Sequence, residues 1–199
     1  MALIVFTLLL TFTMVMHPAG GNVAYLIKIT RMIVITHSIA ILSLPFGLIG
    51  FWGLTRKIGT EHFASMLAFI TICLGMVAVM IAAATNGLVM PIFLQGYTDA
   101  TPQAVGAIRP VLRYSFAINH AFDYIYTGAF CLSILSWSII IIKTKKLRAW
   151  IGWAGIILSL FGAAIFVSGM AHELQGFRLF VVSIVAWVMV VGVELWRER

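Results

Sequence analysis

The chain has 199 residues, 62% of them hydrophobic and 10% charged, and its mean hydropathy is +1.09. A soluble domain is about one-quarter charged, so this composition excludes an ordinary water-soluble globular fold. The formal net charge of +7 accompanies apolar runs of about 20 residues, so it reads as membrane topology and attraction to anionic lipid, with no nucleic-acid partner.

Residues 1–16 are apolar and break at His17-Pro18-Ala19-Gly20-Gly21. They read as a short first span; a signal peptide would carry a basic leading region and a small-residue cleavage site. Residues 22–31, with Tyr25 and Lys28, suit an interfacial helical stretch. The second span is 32–54. Pro45 removes a helix hydrogen bond there and predicts a kink, and Gly47, Gly50 and Gly53 form a stripe for close helix approach. A basic turn at Arg56-Lys57 leads to the third span, 63–89, with Gly75, Ala78 and Ala82 on one face and Asn86 near its end. The long connection that follows carries Thr101-Pro102, an N-cap and first-turn signal for a short surface helix ending near Arg109-Pro110. The fourth span is 114–142, followed by a second basic turn over 143–148. The fifth span, 149–170, opens with Trp150 and Trp153 at interface depth and carries Gly152, Gly155, Ser159 and Gly162 as a second small-residue stripe. The polar stretch 171–178 leads to the sixth span, 179–196. Cys73 and Cys131 fall within spans and read as small hydrophobes rather than a disulfide.

The expected fold is therefore an all-α membrane protein, a single integral domain of six transmembrane helices. Spans two to five form an up-down four-helix core, flanked by spans one and six. Both basic turns fall on the side of the C-terminus. That side carries eight Lys and Arg, against five on the other, which places both termini in the cytoplasm.

Polar residues gather at the opposite, outer side. Asn119, His120 and Asp123 are three and four apart in the fourth span and share one helix face. An ionisable group in hydrocarbon costs a few kcal/mol, so it marks a partner, a cavity or a ligand. At 1.5 Å per residue His37 and His120 both lie roughly 8 Å below the outer boundary. Asn86 ends the third span nearby, and His172 and Glu173 cap the fifth. These residues predict a pocket for a metal ion or small ligand. Imidazole and carboxylate ligands suit zinc, with His37, His120 and His172 as ligands and Asp123 or Glu173 as a fourth ligand or orienting group. In a zinc hydrolase acting on lipid, Asp123 or Glu173 would be the general base. A b-type haem between His37 and His120 is a second cofactor reading, and the mouth of a small transporter or an accessory subunit a third. The plain alternative is structural: a satisfied His120–Asp123 pair, with the other polar side chains reaching water.

The Thr36-His37 start, Pro45, the Gly50-Phe51-Trp52-Gly53-Leu54 end and the Asn119-His120-Ala121-Phe122 pattern resemble small bacterial six-span membrane proteins of unknown function. That resemblance implies a bacterial cytoplasmic membrane and no particular activity. The chain is similar to six-span b-type cytochromes in span count alone, because a second His pair on the inner side is absent from the sequence.

Overall fold

The computed structural model describes residues 1–18, 21–170 and 174–197. All regular secondary structure among the described residues is helical, without a strand. The helices are α1 (Ala2–Met16), α2 (Val23–Lys28), α3 (Thr30–Ile58), α4 (Phe63–Ala84), α5 (Met90–Gln95), α6 (Pro102–Ala107), α7 (Arg109–Thr144), α8 (Ala149–Val167) and α9 (Leu174–Arg197), with a π-helical turn, Thr85–Val89, joining α4 to α5. Among the described residues, five helical stretches are long and apolar enough to cross a membrane: Thr30–Ile58, Phe63–Gln95, Pro102–Thr144, Ala149–Val167 and Gln175–Arg197. α1 is a shorter apolar helix.

Thr101 caps α6 as its sequence predicts, accepting the Ala104 N–H at 3.3 Å, and Asn22 caps α2 by accepting the Tyr25 N–H at 2.9 Å. α3 runs through Pro45 as one continuous helix. α7 begins at Arg109 with Pro110 in its first turn, where a missing N–H costs nothing.

Outward positions are large and apolar: Leu42, Ile49, Leu74 and Ile157 are each at least 60% exposed. That is the surface a lipid environment accepts and water does not. Inward positions combine aromatic packing with small residues. The Phe51 ring stacks on Trp137 at 5.2 Å, and Trp137 Nε1 donates to Thr55 Oγ1 at 3.2 Å, tying α7 to α3. The glycine stripes are packing surfaces at most of their positions. A Cβ on Gly47 would meet Met76 and Phe6, and one on Gly50 would meet Leu3. In α8, Gly152 lies against Ile142, Gly155 against Ser138 and Trp187, and Gly162 against Cys131 and Phe180. Gly53 differs, with nothing within 4 Å. Several buried hydroxyls bond within their own helix, as Thr7 does to Leu3 O at 3.0 Å and Ser159 to Gly155 O at 2.8 Å.

Consecutive long helices pack on one another, α3 on α4, α4 on α7, α7 on α8 and α8 on α9, while α1 lies against both α3 and α9. Two ion pairs define one end of the molecule. Lys146 of the α7–α8 turn reaches Glu61 of the α3–α4 turn at 3.4 Å, and Arg148 meets Glu194 near the end of α9 at 2.9 Å. Both basic turns and the end of α9 therefore share one end, as the charge pattern predicts. The opposite end holds His17, His37 and the N-terminal half of α7.

Candidate functional site

A cavity of about 390 Å³ opens at that opposite end. α1, α3, α4, the π turn, α5, α7 and α9 all contribute walls, and α2 contributes Leu26. Most of the lining is apolar, including Leu10, Ile33, Val79, Leu94, Phe116 and Val181. The polar minority is Thr13, His17, His37, Asn86, Asn119, His120 and Asp123, with Tyr126 beneath.

The α7 residues show the spacing read from the sequence. Asn119 Nδ2 donates to Asp123 Oδ2 at 2.9 Å across one helical turn, and His120 Nδ1 lies 3.9 Å from the same oxygen. Asp123 is the less exposed partner, its side chain 20% exposed against 44% for His120. Tyr126, one turn further in, is buried against Phe130, Phe177 and Phe180.

His37 is buried on α3. Its Nδ1 lies 2.8 Å from Ile33 O, and a carbonyl only accepts, so Nδ1 carries a proton. Nε2 is then the ring's remaining site for a partner. The π turn is what brings α4 onto this ring. Pro91 has no N–H to give Gly87 O, and its ring would crowd that carbonyl in a regular helix. The wider turn over Thr85–Val89 accommodates both. It seats Gly87 directly on His37, where a Cβ would collide with the imidazole. Asn86, beside Gly87, lines the cavity with its Oδ1 buried and without a hydrogen-bond partner.

His17 completes the wall. Its ring centroid is 5.2 Å from that of His37, its Nδ1 bonds Pro18 O at 3.1 Å, and its own carbonyl accepts Arg178 Nη2 at 2.7 Å. Burial drives its pKa down to about 4, aided by His37 and Arg178 and opposed by the Pro18 carbonyl. At neutral pH this imidazole is uncharged.

The structure thus brings five predicted pocket residues, His37, Asn86, Asn119, His120 and Asp123, to one cavity. His172 and Glu173 lie outside the described residues. Among the described residues no three His, Cys, Asp or Glu side chains form a group that would hold an ion. His37 Nδ1 is committed to Ile33 O, and Asp123 is shared between two neighbours on its own helix. Two functional-looking residues escaped the sequence reading. His17, which the sequence marks only as the break after the first span, packs on His37. Glu194 was overlooked, although a carboxylate inside an apolar run is the same signal that singled out Asp123.

No protein-family model, no curated protein and no solved structure matches this chain.

Proposed function

We propose that this chain crosses a bilayer six times and uses the cavity to bind a small amphiphile: an apolar body with a neutral head that donates a hydrogen bond. The cavity falls within the usual size of small-molecule sites, roughly 300–1,000 Å³, and combines apolar walls with a few polar groups in the usual way. The observation that carries the reading is Asn86, a cavity-wall residue whose buried Oδ1 meets no donor among the described residues. A buried acceptor left unpaired costs about 1–3 kcal/mol, which a hydroxyl- or amide-bearing ligand recovers. His37 Nε2 and the Asp123 carboxyl supply further polar contacts.

The six-span reading counts α1 as a span. Fifteen residues rise about 22 Å, so α1 reaches across most but not all of a bilayer core of about 30 Å. Its packing between α3 and α9 favours a closed ring of six helices over a separate four-helix core. The basic end is cytoplasmic in this reading, with both termini inside, in a bacterial cytoplasmic membrane. A reporter fused after Arg199 then functions only in the cytoplasm, and activity on the far side overturns the orientation.

Matched ligands test the site. In nanodiscs, a medium-chain alcohol should bind about tenfold tighter than its methyl ether, each referred to its concentration in the membrane. Asn86→Leu removes the acceptor at nearly constant size and should abolish that preference while the ether still binds. Equal affinity of alcohol and ether for the natural chain rejects the proposal.

A further inference from the structure

We infer a second site, for phosphate, at the basic end, where the α7–α8 turn meets the last turns of α9. A concavity of about 450 Å³ there is lined by Lys145, Leu147, Arg148, Ala149, Glu194 and Arg197. Among these residues three cations stand against one carboxylate, so the concavity is positively charged.

Its parts are held in place. Lys145 ends α7 in the left-handed conformation, φ 54°, with its N–H bonded to Ile141 O at 2.9 Å. Leu147 is 2% exposed and pins the turn to the core. Glu194, itself 6% exposed, takes Arg148 Nε at 2.9 Å. That contact uses one of the five N–H donors of the guanidinium and fixes its position, and the terminal amino groups are the donors a phosphate takes in pairs. The α8 helix starts at Ala149, so the first N–H groups of a 19-residue helix add partial positive charge on the same side. Buried Glu194 is in this view a positioning residue: it sets Arg148 beside the helix start.

The ligand chemistry is a phosphate group, and it has two sources, an anionic lipid headgroup or free phosphate. Trp150 and Trp196 are 52% and 54% exposed around the concavity. They are the side chains that settle at headgroup depth. The lipid source rests on the membrane reading above, whereas phosphate capture in solution does not.

The full chain in nanodiscs of phosphatidylcholine with a minority of phosphatidylglycerol, released for native mass spectrometry, reads the first source. The natural chain should carry phosphatidylglycerol enriched about tenfold over its share of the bilayer. Lys145→Gln with Arg197→Gln should remove most of that enrichment. Lys143→Gln with Lys146→Gln deletes the same charge outside the concavity and should leave it nearly intact. Calorimetry with inorganic phosphate in neutral detergent reads the second source. Saturable heat that is lost in Lys145→Gln/Arg197→Gln, without lipid enrichment, assigns the site to soluble phosphate. Equal loss in both double variants reduces the effect to general surface charge and overturns the site, as does the absence of both lipid enrichment and phosphate heat. Failure at the cavity near His37 leaves this test unaffected, because the two sites lie at opposite ends.

Discussion

The Arg148–Glu194 pair should respond asymmetrically to removal of its two partners. The Glu194 side chain is 8% exposed and that of Arg148 59% exposed, with Nε and Oε1 2.9 Å apart. Arg148→Ala leaves a mostly buried carboxylate without its nearest cation, with Lys145 and Arg197 on the same concavity. Breaking a buried pair costs about 3–5 kcal/mol when the remaining charge has neither partner nor water, and the two remaining cations put the expected loss at the lower end, about 3 kcal/mol. Glu194→Gln leaves the cation, but Arg148 already reaches solvent, and the Gln oxygen still accepts its N–H. The loss is then the difference between a charge-assisted and a neutral hydrogen bond, about 1 kcal/mol. Arg148 makes no side-chain cap to α8, so its truncation removes no cap energy. The double variant should recover part of the Arg148→Ala loss, leaving a coupling of about 2 kcal/mol in a double-mutant cycle. Equilibrium unfolding in mixed micelles, followed by far-UV circular dichroism, measures all four corners. If Glu194→Gln costs as much as Arg148→Ala, or the coupling is below about 0.5 kcal/mol, the burial argument for this pair is wrong.

Two further predictions use glycine packing and pH. Gly155→Ala places a methyl against Ser138 Oγ and Trp187 Nε1 and should destabilise by about 1–3 kcal/mol through overpacking. Gly53→Ala meets nothing within 4 Å and should be neutral or stabilising by up to about 1 kcal/mol, since Ala is the better helix former; thermal unfolding in detergent compares them, and equal effects would contradict the assigned packing. His17 has a folded pKa of about 4 against 6.5 when unfolded. Between those values the unfolded chain binds more protons, so stability is full above about pH 6.5 and falls as pH drops towards 4, by at most roughly 3 kcal/mol. His17→Gln should flatten that slope, and an unchanged pH profile would show that another group is responsible.

The membrane class and the helix positions were legible because hydropathy acts over whole spans. The boundaries were less so. The fourth span was expected over 114–142 and lies within α7, Arg109–Thr144, while the third continues through the π turn to Gln95. A helix keeps its hydrogen bonds beyond the apolar stretch, so a hydropathy limit is not a helix limit. Equal depth along the chain was enough to group His37, Asn86, Asn119, His120 and Asp123, because antiparallel helices bring equal depths together. It could not show that Pro91 would widen the helix and press Gly87 onto His37, which depends on the partner helix. Nor could it pair Arg148 with Glu194, which are 46 residues apart by number.

The ligand proposed for the cavity beside His37 and Asp123 is an amphiphile. Native mass spectrometry of the full chain from a mild detergent tests it most directly, with Ala83→Phe as the comparison, since Ala83 is a buried cavity-wall residue that a phenyl group would fill. The natural chain should carry a bound small molecule that bears a hydroxyl or amide, and a folded Ala83→Phe variant should lose it. An empty natural chain, or the same molecule retained when the cavity is filled, contradicts the proposal.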